Sequence, residues 1–124
     1  MWSSIWVVGL GGFVGANLRY WLSVWLAQRI PFFPAGTLAV NVIGSLLLGL
    51  IAGSAGGLGP SGRLLLGTGV MGAFTTFSTF SVETLQLLQD AHYAAAALNV
   101  AANLLVGFGA AWLGLTLARG LGAG

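Results

Sequence analysis

Long apolar stretches separated by short breaks dominate this chain, and the breaks divide it into four segments. The breaks are PFFP at residues 31–34, a glycine-rich run at residues 53–62 and a polar stretch at residues 90–93, all of residue types that interrupt regular structure. The apolar segments run approximately over residues 4–28, 35–52, 63–89 and 94–118. Because no period-two alternation is visible within them, the pattern predicts helices rather than strands.

Composition indicates that these helices cross a bilayer. A transmembrane helix needs about 20 mostly apolar residues, and 57% of the 124 residues are apolar while only 5% are charged. Hydrocarbon admits only helices or closed barrels as spanning structures. We therefore expect an all-α integral membrane protein with four transmembrane helices in a single domain, residues 1–124, and no enzyme activity. The first apolar segment lacks the basic region of a signal peptide, so we interpret it as the first span.

Charge is scarce and balanced between the two ends of the helices. With four spans, Arg63 and Arg119 share one side of the membrane with the N-terminus, and Arg29 lies on the other side. Two Arg against one is a weak signal under the positive-inside rule. The chain can therefore insert in either orientation, with a single fixed topology as the alternative. Four scattered Arg form no basic cluster, and no nucleotide motif is present, so neither nucleic acid nor nucleotide is an expected partner.

Small and polar residues recur at helical spacing within the apolar segments. Glycines at such spacing indicate close helix packing and an oligomer: Gly11 and Gly15, Gly44 and Gly49, and Gly107 and Gly114. Thr37, Asn41 and Ser45 form a polar stripe on the second segment, and Asn99 with Asn103 forms another on the fourth. Each stripe either joins neighbouring helices by hydrogen bonds or lines an ion path. In such a path, N–H and O–H donors would replace the water around a small anion.

The third segment predicts a broken helix. As one helix, residues 63–89 would measure about 40 Å, against a hydrocarbon core of about 30 Å. A run of hydroxylated residues, Thr75 to Ser81, follows three glycines, and these residue types form helices poorly. We predict a break near residues 72–76, which is either an ion site lined by freed carbonyls or a kink repaired by Ser and Thr hydroxyls.

Three side chains in these segments could act on an anion, and Glu83 is the acidic residue beside them. Phe77 and Phe80 lie three residues apart, and the positive edge of an aromatic ring can face an anion, although paired Phe residues by default face lipid or fill a core. Arg19 lies inside the first span, as a fixed positive charge at the mouth of a path or as a side chain that snorkels to the interface. Glu83 accepts hydrogen bonds from Ser and Thr or pairs with Arg19.

Three motifs resemble the Fluc (CrcB-type) family of fluoride channels. They are GGFVGANLRY from Gly11 to Tyr20, GTLAVNVIGSLLLG from Gly36 to Gly49, and GAFTTFSTFSVE from Gly72 to Glu83. The resemblance implies a fluoride-selective channel of the cell inner (plasma) membrane that lets fluoride leave the cytoplasm passively and so reduces its toxicity. It also implies an antiparallel, dual-topology homodimer in lipid with two fluoride pathways.

The resemblance also implies roles for individual residues. The fluoride pathway would contain Asn41, Phe77, Phe80, Ser78, Thr79, Glu83 and Arg19, with Thr37 of the same polar stripe. A structural Na⁺ at the dimer interface would be held by the backbone carbonyls of Gly72 and Thr75 from both subunits. The fourth span departs from the family, which tends to carry Tyr or Ser where Asn99 and Asn103 stand here.

Two other functions fit a small four-span protein. A proton-coupled drug exporter of the small multidrug resistance type has similar length and topology, but it needs a titratable carboxylate in its first span. This chain has Arg19 there and no acidic residue. A purely structural membrane protein, in which the glycines and polar stripes serve packing alone, is the second alternative.

Overall fold

The computed structural model describes residues 1–54 and 56–122, which are helical apart from short turns and contain no β-strand. This description does not include residues 123–124 or Ala55, which lies in the predicted break at residues 53–62. The helices are α1 (Trp2–Arg29), α2 (Ala35–Gly53), α3 (residues 60–74), α4 (Phe77–Gln89) and α5 (Tyr93–Gly122). Three stretches are long and apolar enough to cross a membrane, Ala35–Gly53, Pro60–Gln89 and Tyr93–Gly122. The chain is thus a multi-pass membrane protein.

Helix α1 has the length of a span but a less apolar sequence than the other three. Its 28 residues include two pairs of Trp, with Trp2 and Trp6 near one end and Trp21 and Trp25 near the other. Tryptophan favours the two interfaces of a bilayer, and the pairs are separated by roughly 30 Å of helix, close to the hydrocarbon thickness. The Arg29 guanidinium lies 4.3 Å from the Trp25 ring centroid. These features favour α1 as the fourth span, which stays a prediction.

The predicted break in the third segment is confirmed and falls between α3 and α4. Thr75 and Thr76 have extended backbone, with φ and ψ of −85° and 159° and of −154° and 118°. Before the break, Leu64–Met71 forms wide π-helical turns, a geometry that is rare and often found at functional sites. Pro60–Gln89 is therefore two helical pieces joined by two extended residues.

Glycines let the helices approach closely, as the sequence predicts. Gly11 and Gly15 on α1 lie against the backbone of α3, where Gly69 faces Gly11. Gly49 and Gly114 allow α2 and α5 to meet, because a Cβ on either would overlap the backbone of the opposite helix. These contacts are within one chain, so they explain its own packing and say nothing about an oligomer.

Gly11→Ala should destabilise the fold while the neighbouring Gly12→Ala should not. A Cβ at Gly11 would lie 2.5 Å from the Leu65 carbonyl oxygen and 2.8 Å from the Gly69 Cα, whereas nothing lies within 4 Å at Gly12. Because backbone atoms cannot swing aside, we expect a loss of about 1–3 kcal/mol at Gly11. Unfolding titrations in mixed micelles measure it, and equal stability of the two variants would contradict this packing.

Candidate functional site

The centre of the site is the break in the third segment. There, a side chain of α2 pairs with backbone groups that have no partner within the helix. The Thr76 N–H donates to Asn41 Oδ1 at 2.8 Å, and Asn41 Nδ2 donates back to the Thr76 carbonyl at 3.1 Å. Backbone groups left unpaired in hydrocarbon are costly. Asn41 therefore pairs with the break as a second peptide unit would, and the break is fixed against α2.

Thr76 also begins α4. Its side-chain oxygen accepts the Thr79 N–H at 3.2 Å, which is the usual N-cap arrangement. The same hydroxyl donates to Thr79 Oγ1 at 3.0 Å and lies 3.3 Å from Ser78 Oγ. Ser78 and Thr79 are exposed on the single chain. The hydroxyl cluster of the sequence thus serves first to start α4 directly after the break.

A cavity of about 250 Å³, here named the Asn41 cavity, lies between α2, the break and α5. Its lining residues are Asn41, Gly44, Ser45, Leu48, Thr75, Thr76, Phe77, Phe80, Asn103 and Leu104. Within the described ranges the Ser45 hydroxyl makes no hydrogen bond. The cavity therefore combines one uncommitted O–H donor with two aromatic rings.

The two Phe residues that line this cavity form a pair. Their ring centroids are 5.6 Å apart and the ring planes are inclined at 55°. Phe80 is 8% exposed, whereas Phe77 is 76% exposed on the single chain. Inclined rings present edges as well as faces, and the ring edge carries the positive part of the quadrupole.

A second cavity of about 240 Å³, here named the Glu83 cavity, lies toward the other end of α2 and α4. Thr37 Oγ1 donates to Glu83 Oε1 at 2.9 Å. Glu83 Oε2 is buried and has no hydrogen-bond partner in residues 1–54 and 56–122. Of the two interactions predicted for Glu83, the structure has the hydrogen bond from a hydroxyl and, in the part of the chain that it describes, no ion pair with Arg19.

The two cavities lie along one row of polar residues. Thr37 lines the Glu83 cavity, and Asn41 and Ser45 line the Asn41 cavity, so the predicted stripe on α2 borders both. On α4, Phe80 and Glu83 are one helical turn, about 5 Å, apart. We call this row of residues, from Ser45 past the break and the Phe pair to Glu83, the track.

A directed chain of hydrogen bonds joins the track to α5. Asn41 Nδ2 donates to Asn103 Oδ1 at 2.9 Å, and Asn103 Nδ2 donates to Asn99 Oδ1 at 3.0 Å. Asn99 Nδ2 donates to Thr84 Oγ1 at 3.0 Å, and the Thr84 hydroxyl donates to the Phe80 carbonyl at 2.8 Å. The sequence indicated the Asn99 and Asn103 stripe, but Thr84 carries no spacing that marks it.

Arg19 is the predicted site residue that the structure does not bring to this track. It is half-buried on α1 and makes no side-chain hydrogen bond or ion pair within the described ranges. Gly72, exposed, and Thr75, which lines the Asn41 cavity, lie at the break as expected. Groups of three or more His, Cys, Asp or Glu that could hold a metal are absent from the described residues.

Comparison with known proteins gives one consistent result. A family model described as "CrcB-like protein, Camphor Resistance (CrcB)" matches residues 6–115. The chain is similar to the fluoride-specific ion channel FluC 1 of Geobacillus kaustophilus, with 50% identity over 90% of this chain and 95% of the relative. It is equally similar to FluC of Sorangium cellulosum, 50% identical over 94% and 95% of the two chains. FluC 3 of Methanosarcina barkeri is 41% identical over 95% and 92% of the two chains.

Proposed function

This chain belongs to the CrcB-like family of fluoride-specific ion channels, and we propose that it lets fluoride leave the cytoplasm passively along the track between α2 and α4. Lowering internal fluoride in this way reduces its toxicity. An ion channel makes and breaks no covalent bonds, so the family is not an enzyme class. The observation that carries the proposed pathway is the Asn41 cavity, where a hydroxyl, amides and an aromatic pair meet at a break in a membrane helix.

Fluoride is a small, strongly hydrated anion, so a pathway must offer hydrogen-bond donors in place of water. The Ser45 hydroxyl supplies a free donor in the Asn41 cavity, and the Asn41 amide supplies one in exchange for its hydrogen bond to Asn103. The edges of Phe77 and Phe80 offer positive quadrupole without binding cations. Ser78 and Thr79 add hydroxyls at the start of α4. Thr37 and Glu83 continue the track at its other end. Arg19 lines neither cavity, so its positive charge at the mouth of the path stays a prediction.

We propose that the working form is an antiparallel homodimer in the lipid bilayer. Phe77 is 76% exposed although it lines the Asn41 cavity, and Gly72 at the break is exposed too. A second copy would cover both and close a cavity that a single chain leaves open. The near balance between Arg29 on one side and Arg63 with Arg119 on the other supports insertion in both orientations.

Labelling of single cysteines should find both orientations, since the chain has no cysteine of its own. Ser61→Cys and Asp90→Cys lie on opposite sides of the membrane in any one topology. In intact cells a membrane-impermeant maleimide should label about half of each variant, because the Arg balance sets no preferred orientation. Full labelling of one variant and none of the other would contradict the antiparallel dimer.

The break also supports a structural Na⁺ at the dimer interface, bound by the backbone carbonyls of Gly72 and Thr75 from both subunits. In an unbroken α-helix the Gly72 carbonyl would accept the Thr76 N–H, which here donates to Asn41. The Thr75 carbonyl would accept the Thr79 N–H, which here donates to the Thr76 hydroxyl. Two carbonyls thus lack their helical partners, and carbonyls freed at membrane depth are the ligands that Na⁺ takes. The ion would offset their partial negative charge.

A proton-coupled exporter would behave differently in a flux measurement. Liposomes containing the purified protein should release fluoride at a rate set by the fluoride gradient and the membrane potential, with no effect of an imposed proton gradient. Glu83 and Asp90 are the only acidic residues, and neither is on α1. Uphill accumulation of fluoride or of a drug driven by a proton gradient would overturn the passive mechanism.

A further inference from the structure

The hydrogen bonds around Asn41 fix which way each amide in the chain points. Asn41 faces the Thr76 N–H with its oxygen and the Thr76 carbonyl with its nitrogen, because only that orientation pairs donors with acceptors. Asn103 is fixed in the same way, since its nitrogen faces the Asn99 backbone carbonyl at 2.9 Å. The contact between Asn41 and Asn103 is therefore an N–H donated to a side-chain oxygen.

In both amides that line the Asn41 cavity, each side-chain N–H group already donates a hydrogen bond. The two N–H groups of Asn41 go to the Thr76 carbonyl and to Asn103 Oδ1. The two N–H groups of Asn103 go to the backbone carbonyl and to the side-chain oxygen of Asn99. Asn103 therefore turns an acceptor toward Asn41 and keeps its donors away from it.

We propose that Asn103 competes with fluoride for Asn41. Fluoride accepts hydrogen bonds as an amide oxygen does, so the anion must displace Asn103 Oδ1 to take the Asn41 N–H. This inference rests on the proposed function, because it concerns the same track. It predicts that Asn103 slows the uptake of fluoride into the cavity and does not act as one of its ligands.

Asn99 is the positioning residue for this competition. It is fully buried, at 0% exposure, and it is not among the residues that line the Asn41 cavity. Its side chain holds Asn103 on one side and donates to Thr84 on the other, and Thr84 is held by the Phe80 carbonyl. Asn99 thus acts on fluoride only through the orientation of Asn103.

The sign of a mutational effect tests the proposal. If Asn103 donated to fluoride, its removal would slow efflux. If Asn103 competes, Asn103→Leu should speed the initial efflux at low fluoride roughly two- to tenfold, the equilibrium ratio equivalent to one net hydrogen bond. The increase in efflux rate over the parent should be smaller at high fluoride concentration, because there the anion displaces Asn103 Oδ1 by mass action in the parent too. Asn99→Leu should produce a smaller gain with the same concentration dependence.

Fluoride-electrode recordings on liposomes measure these rates, with full-length protein checked for folding by gel filtration. Asn103→Ser, whose hydroxyl is too short to reach Asn41, provides a second variant in case leucine prevents folding, and it should also be faster. Thr116→Val is a matched control, since its hydroxyl donates to carbonyls of its own helix and Thr116 does not line the Asn41 cavity.

Folded Asn103→Leu and Asn103→Ser variants that conduct at or below the parental rate would overturn the competition. A parental rate for Asn99→Leu beside a faster Asn103→Leu would overturn the positioning role. If the parent protein itself released no fluoride, the proposed function would be wrong instead.

Discussion

Phe80→Ile should reduce fluoride efflux by at least about tenfold, equivalent to about 1.4 kcal/mol in the barrier, while the protein remains folded. Phe80 lines the Asn41 cavity and is 8% exposed. Isoleucine keeps an apolar side chain but removes the positive ring edge that can face an anion. Phe77→Ile should act in the same direction, because its ring is the other member of the pair.

Phe108→Ile is the matched control for these two variants. Phe108 is 71% exposed on α5 and does not line the Asn41 cavity, so its efflux rate should equal that of the parent. Efflux from reconstituted liposomes measures all three rates. Phe77→Ile and Phe80→Ile proteins that elute like the parent and conduct like it would remove the Phe pair from the pathway.

Asn41→Leu should have the largest combined effect, because Asn41 serves both the fold and the pathway. Leucine leaves the Thr76 N–H and carbonyl without partners at the break, which we expect to cost about 2–4 kcal/mol of stability. Asn17→Leu is the control, since Asn17 is exposed and its amide donates to the Phe13 carbonyl of its own helix. Unfolding titrations of both variants in mixed micelles measure the difference.

Asn41→Asp separates the two roles of Asn41. The carboxylate keeps an acceptor for the Thr76 N–H, so the break should survive better than with leucine. It offers no N–H donor and adds negative charge beside the path, so fluoride efflux should fall to the level of empty vesicles. A folded Asn41→Asp protein that conducts like the parent would exclude Asn41 from the pathway.

Local sequence predicted the helices and the break because each rests on short-range chemistry. Apolar length marks a span, and the glycines followed by Thr75 and Thr76 mark a place where a helix stops. The polar stripe of Thr37, Asn41 and Ser45 follows from helical periodicity alone. The close packing at Gly11 likewise follows from the absence of a side chain.

The partners across helices could not be predicted in the same way. Asn41 pairs with Thr76, 35 positions away, and with Asn103, 62 positions away, and no local preference selects these partners. Nor does the local sequence of Leu64–Met71 predict its π-helical turns, which pack against α1. In the sequence Thr84 looks like any helical threonine, and its hydrogen bond from Asn99 becomes visible only in the structure.

Fluoride efflux from sparsely reconstituted liposomes tests the central claim most directly. With most vesicles carrying at most one channel, an ion-selective electrode compares the release of fluoride with that of chloride. We predict rapid release of fluoride down its gradient and chloride release no faster than from empty vesicles. Release of fluoride no faster than from protein-free vesicles would contradict the channel function.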